Sequence, residues 1–193
     1  MTINTELKAQ LEEKYQKFLE TEFTVFDIET SGLDPLKDEI LEIAGLKMKG
    51  PLEIDRFEML IRPTRSIPPE VEKIHGLNEF FLLVNGKDGR EVISEFLKFT
   101  KNSIIVGHNI ISFDWLFIQN NSKKYSFGLP QNNLIDTLLL ARKILVLPQY
   151  NLTAVARSFG FENRNAHRAM PDVEVNAQVF VKLMEKMFGV DNK

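Results

Sequence analysis

The sequence predicts an α/β fold in which helices pack on a mixed sheet, and three observations predict it. Strand-like runs over residues 23–28, 40–48 and 54–61 follow one another with only turn residues between them. Two shorter apolar runs, over 103–106 and 134–136, then alternate with helical periodicity. A long periodic segment over 171–188 closes the pattern. A meander followed by strand–helix alternation implies a sheet carrying both antiparallel and parallel pairs.

Each element has a local reason. Leu7, Leu11, Tyr15, Phe18 and Leu19 recur at helical spacing with Lys and Glu between them, so residues 5–19 form an amphipathic helix. Gly32-Leu-Asp-Pro35 is a turn after the first strand, and Gly50-Pro51 separates the second from the third. Pro68-Pro69 opens a short helix that ends near Gly76. Residues 85–90 read as a polar loop, and 91–99 as a helix with Val92, Ile93, Phe96 and Leu97 on one side. Helices are expected over 113–119, 137–147 and 152–159, the last capped by Asn151 and stopped by Gly160. Gly189 stops the final helix, for which Pro171 suits the first position.

At 193 residues, with 44% hydrophobic and 26% charged residues, the chain is long enough for one domain with a full core. It has no cysteine, so disulfides and thiolate metal sites are excluded and any metal must bind oxygen or imidazole. No apolar run is long enough to span a bilayer, so no membrane partner is expected. Met1-Thr-Ile-Asn-Thr-Glu lacks the basic-then-apolar order of a secretory signal, and a cytoplasmic location is the expectation. A net charge of −3 provides no global basic field for nucleic acid, yet an enzyme that grips a few nucleotides needs none.

Three acidic clusters sit on different elements. In Thr24-Val-Phe-Asp-Ile-Glu-Thr30, Asp27 and Glu29 are two apart on a strand and project to one face. Two anions among apolar residues repel each other and lose hydration, and a divalent cation relieves both penalties. The pair is a metal site or a pair tolerated near a turn. The second cluster, His108-Asn-Ile-Ile-Ser-Phe-Asp114, lies where a strand gives way to a helix. The third, His167-Arg-Ala-Met-Pro-Asp172, precedes the last helix. Proline disfavours helix in the residue before it, so His167 is expected on a loop and Asp172 in the first helical turn. Acids in first turns are common because the helix N-terminus favours them, which is the alternative reading of Asp114 and of Asp172.

Those clusters, in this order, resemble the three motifs of the DEDDh-type 3′–5′ exonucleases. They read Phe26-Asp-Ile-Glu-Thr-Ser-Gly-Leu33, Gly107-His-Asn-Ile-Ile-Ser-Phe-Asp114 and Ala166-His-Arg-Ala-Met-Pro-Asp172. Ile67-Pro-Pro-Glu-Val-Glu-Lys-Ile-His-Gly-Leu77 is similar to the family's substrate-contacting segment, and Asp136-Thr-Leu-Leu-Leu-Ala-Arg142 to another family stretch. The resemblance is closest to the proofreading exonuclease of bacterial replicative DNA polymerases. It runs from about Phe23 to the end of the last helix. It divides the chain into a helical extension over 1–22 and an exonuclease domain over 23–193.

The resemblance implies a ribonuclease H-like fold with a five-stranded mixed sheet flanked by helices. It implies hydrolysis of DNA from the 3′ end to nucleoside monophosphates, assisted by two divalent cations, Mg²⁺ or Mn²⁺, which suit carboxylates. Asp27 would bridge both ions, Glu29 and Asp172 would complete the ion holding the attacking water, and Asp114 would support the second. His167 would take the proton of that water. Thr30, Gly32, Leu33, His75, Asn109 and Phe113 would contact the terminal nucleotide, with His108 a further candidate. The implied partner is a single-stranded or frayed 3′ end, and a DNA polymerase is a second candidate partner. Two rival readings are an RNA 3′–5′ exonuclease and a non-catalytic polymerase-binding module. The retained acids and His167 weigh against the second rival.

Overall fold

The structure, a computed structural model, describes residues 5–162 and 168–190. Strands β1 (Glu22–Thr30), β2 (Ile40–Lys49) and β3 (Leu52–Leu60) pair antiparallel as the expected meander. Gly50 between β2 and β3 sits at φ 54°, and a Cβ there would lie 2.8 Å from Leu19 Cα, so the turn needs glycine twice over. Strands β4 (Ile104–Gly107) and β5 (Leu134–Asp136) add in parallel on the other side of β1, giving the order β3-β2-β1-β4-β5. The helices are α1 (Thr5–Glu20), α2 (Pro69–His75), α3 (Glu79–Asn85), α4 (Gly89–Phe99), α5 (Asp114–Lys124), α6 (Thr137–Ile144), α7 (Leu152–Ser158) and α8 (Ala169–Phe188). This is the five-stranded mixed sheet with flanking helices, including the added N-terminal helix.

Strand parity divides the core between the two faces of the sheet. Phe26 and Ile28 of β1 point to one face and meet Val92, Ile93 and Phe96 of α4 and Trp115, Phe117 and Ile118 of α5. Phe23 and Val25 point to the other face with Ala44, Leu46 and Met48 of β2, and there α8 covers them with Val173, Ala177, Phe180 and Met184. Helix α1 joins this second layer through Phe18, whose ring lies 5.5 Å from that of Phe23 and 5.9 Å from that of Phe180. Leu11, Tyr15 and Leu19 pack beside Phe18, whereas Leu7, expected on the same apolar stripe, is half exposed.

Several boundaries differ from expectation for physical reasons. Helix α3 was not expected. It starts where the Asn78 side chain accepts from the Phe81 N–H, and it leaves Phe80, Phe81, Leu83 and Val84 exposed, so no one-sided periodicity announces it. The polar stretch over 85–90 is shorter than a loop of six, because Asp88 caps α4 and starts it at Gly89. Helix α5 continues to Lys124 rather than 119, and α6 stops at Ile144 rather than 147. Helix α8 begins at Ala169, two residues before Pro171, so proline is not at its first position. The first four N–H groups of a helix lack an internal acceptor, so a residue without one fits there.

Candidate active site

The same parity that builds the core places the acids. Asp27 and Glu29 continue the Phe23–Val25 side of β1 and so face α8. Asp172 lies in the first turn of α8, above that face. Small residues let the helix approach the sheet: Ala44 is the register partner of Asp27, and Ala169 and Ala177 lie on the α8 side. As a result, carboxylate oxygens of Asp27, Glu29 and Asp172 all lie within 4.8 Å of one another.

Asp114 arrives from the other edge of β1. Strand β4 pairs only with Phe23, Thr24 and Val25, so β1 has an open edge from Asp27 onward. Helix α5 begins at that edge, and the Asp114 carboxylate accepts from the backbone N–H of Ile28. The acids thus gather beyond the carboxyl end of β4 and around the last residues of its parallel neighbour β1, close to where open α/β sheets place their sites.

Asp27, Glu29 and Asp114 resist ionisation. Burial pushes Asp27 well above the ordinary carboxylate range, and the charges of Asp114, Glu29, Asp172 and Glu42 add to the rise. Glu29 is pushed up to about 8, first by burial and then by Asp172, Glu42 and Asp114, with Arg168 opposing. Burial pushes Asp114 up to about 7 even though backbone N–H groups partly offset it. A hard divalent cation is the ligand that such an oxygen-only cluster fits, because its charge reverses both causes.

Glu42 was missed in the sequence reading. It is the β2 partner of Glu29 and is 1% exposed. Its carboxylate takes the Arg168 guanidinium at 2.8 and 3.2 Å and the Ala169 N–H at 3.1 Å. The pair fastens the start of α8 to the sheet beside Asp27 and Glu29. An acid facing the apolar side of β2 was the available signal, by the logic that singled out β1. The Arg168 side chain is 43% exposed and its partner 1%, so the pair is asymmetric. Arg168→Ala strands a buried anion and should destabilise by about 3 kcal/mol, whereas Glu42→Gln leaves a cation that can reach water and should cost about 1 kcal/mol. Urea unfolding of the two variants checks this order, and equal losses would contradict it.

The other expected contacts divide. Leu33 is 83% exposed on the turn after β1. A Cβ at Gly32 would lie 2.4 Å from the Asp38 carboxylate, which accepts the Asp34 N–H at 2.8 Å and would have to give way. The Thr30 hydroxyl donates to the Gly32 carbonyl at 2.6 Å and is engaged in the same turn. His75 is buried, its Nδ1 accepts from the Leu77 N–H at 3.0 Å, and its Nε2 is the buried side-chain polar atom left without a partner among the described residues. Asn109 is exposed at φ 61°, held by the Asp136 carboxylate, which accepts the Asn109 N–H at 3.1 Å and the Ile111 N–H at 3.3 Å. Phe113 precedes α5, with its ring 5.1 Å from Phe117. His108 is engaged structurally, with Nε2 donating to the Tyr150 carbonyl at 2.8 Å and Nδ1 3.0 Å from the Thr137 hydroxyl. His167 lies outside the described residues.

The sequence profile of the RNase T exonuclease family matches residues 24–180. A DNA polymerase III of PolC type from Thermotoga maritima is 40% identical over 171 residues, covering 88% of this chain and 12% of that protein. The DNA polymerase III subunit epsilon of Aquifex aeolicus is 34% identical over 171 residues, covering 88% of this chain and 84% of that subunit. The chain therefore spans only a small part of its PolC-type relatives and most of the epsilon relative. E. coli exonuclease I in complex with a dT13 oligonucleotide superimposes with a TM-score of 0.79 at 20% identity, over 89% of this chain and 42% of that one.

Proposed function

This chain belongs to the RNase T exonuclease family, and from that membership we propose that it is a metal-dependent 3′–5′ exonuclease that releases nucleoside monophosphates from DNA. The observation that carries the reading is the convergence of Asp27, Glu29 and Asp172 within 4.8 Å on two elements remote in sequence. We assign the site two divalent cations, Mg²⁺ or Mn²⁺. When bound, they supply a clamp on the attacking and leaving oxygens of the phosphodiester.

The chain's own groups have separate tasks. Asp27 feels the charges of Asp114, Glu29 and Asp172, and it would hold both cations. Glu29 and Asp172 would hold one cation with it, the one that supplies the attacking water, and Asp114 would hold the other. His167 takes that water's proton, since an imidazole with an ordinary pKa near ~6.5 is mostly unprotonated at neutral pH. The buried His75 Nε2 supports its role as a donor to the terminal nucleotide. Leu33, Gly32, Thr30, Asn109 and Phe113 form the surrounding contacts, Thr30 and Gly32 through the shape of their turn.

The names of the relatives support DNA as substrate and a replicative polymerase as partner, and the oligonucleotide on the solved neighbour supports a single-stranded 3′ end. A paired terminal base must leave its stack before it can enter, at about 1.4 kcal/mol per step. Release from single-stranded DNA should therefore exceed release from a blunt duplex of the same sequence by about tenfold. Time courses on single-stranded DNA, single-stranded RNA and blunt duplex test this. Equal rates on strand and duplex contradict the entry argument, faster release from RNA reassigns the substrate, and no release from any of them overturns the proposal.

A further inference from the structure

A cleft of about 670 Å³ lies between the loop that follows β1, the segment that follows β3 and the last turn of α5. We propose that this cleft binds the phosphates of the strand that trails behind the reacting 3′ end, an inference that rests on the exonuclease reading.

Its charge favours an anionic backbone although the whole chain is at −3. Arg62, Arg65, Lys123 and Lys124 line it, together with Lys37, which is paired with Asp34 at 2.9 Å. The three lining acids are engaged with donors of the fold. Asp38 accepts the Asp34 N–H at 2.8 Å, Glu39 the Thr64 N–H at 2.9 Å, and Asp88 the Arg90 N–H at 2.9 Å. The arginines, by contrast, donate to neutral carbonyls: Arg62 to Gly86 at 3.0 Å, and Arg65 to Lys37. Neutral acceptors orient a guanidinium and leave its charge to act on a ligand. Lys123 and Lys124 are exposed, and Tyr125, beneath the Lys124 ammonium at 5.2 Å, adds an aromatic face of the kind that bases stack on.

Two elements that reach the carboxylate site also line the cleft. Helix α5 starts at Asp114, so Lys123 and Lys124 lie about 14–15 Å along its axis from that acid. The loop that carries Leu33 after β1 continues into the lining residues Pro35, Lys37 and Asp38. A strand whose last nucleotide lies at the acids has its preceding phosphates to place, and cations at this distance are placed to meet them. Lysines in a last turn also suit the helix dipole, and that role alone would leave nucleic-acid affinity unchanged on their removal.

The test uses the full chain and its K123A/K124A variant, both sites being exposed. Binding of a labelled oligothymidylate about twelve nucleotides long is followed by fluorescence anisotropy in chelator, where no cleavage is required. The variant should bind about tenfold more weakly at low salt, and its log–log salt slope should be shallower by about 1.4, the share of two single-strand phosphate contacts. With Mg²⁺, kcat/KM on the long strand should fall by a similar factor and that on a dinucleotide should not change. Unchanged affinity and slope, equal losses on both substrates, or no binding by the parent would each overturn the proposal, the first pointing to a role toward a protein partner or the helix alone. Parent binding with the expected slope but no cleavage of either substrate would instead place the failure in the exonuclease reading.

Discussion

Asp27→Asn should lower the rate of 3′-nucleotide release on the order of 10⁴-fold with little change in fold. The amide keeps the shape of the side chain and removes the charge that interacts with Asp114, Glu29 and Asp172. No neighbouring group replaces it, because each has its own position around the cluster. The same substitution has an opposite effect on stability. Glu29 ionises near 8 in the fold, against about 4.3 in an unfolded chain. The native state therefore binds more protons than the unfolded state across that window, and stability must fall as pH rises from about 4 to about 8. In chelator the parent should melt several degrees lower at pH 8 than at pH 5, at about 2–4 °C per kcal/mol for a chain of this size. Mg²⁺ should raise the melting temperature more at pH 8 than at pH 5. Asp27→Asn should flatten the pH dependence and lose most of the Mg²⁺ shift. Differential scanning fluorimetry reads all of this, and a parent that gains stability with pH over this range would contradict the electrostatic account.

His167→Ala has the second largest effect, a loss of about 10²–10⁴ in kcat, the contribution of a positioned general base. The acids should keep their cation, so the Mg²⁺-induced melting shift should survive this substitution and vanish in Asp27→Asn. That split separates proton transfer from metal holding. A variant that loses the shift along with the rate would make His167 part of the metal-holding set, and one that retains full rate would remove it from the mechanism.

Much of the site was legible because strand parity is a strict rule. Once 23–28 was read as a strand, Asp27 and Glu29 had to share a face, and the structure puts that face under α8. Glu42 obeys the same rule, but its carboxylate is satisfied by Arg168 and Ala169, which lie 126 and 127 residues away. No local pattern shows that pairing. Asp136 is similar. It reads as the end of a strand, whereas in the structure it also caps α6 by accepting the Leu138 N–H at 2.9 Å, and its task of holding Asn109 depends on β5 lying beside β4. Helix α3 escaped because four of its apolar side chains face outward, and α8 began earlier than expected because proline is tolerated throughout a first turn. Pairing across the sheet and tolerance at helix starts are tertiary and steric facts, whereas periodicity is a local one.

The central claim is that Asp27, Glu29 and Asp172, with Asp114, form one cation-dependent centre for phosphodiester hydrolysis. It is tested most directly by following release of a labelled 3′-terminal nucleotide from single-stranded DNA while Mg²⁺ is titrated into chelator-treated protein. The account predicts no release in excess chelator, recovery on adding Mg²⁺ or Mn²⁺, and no recovery at any cation concentration in Asp27→Asn. Full release in excess chelator would contradict it.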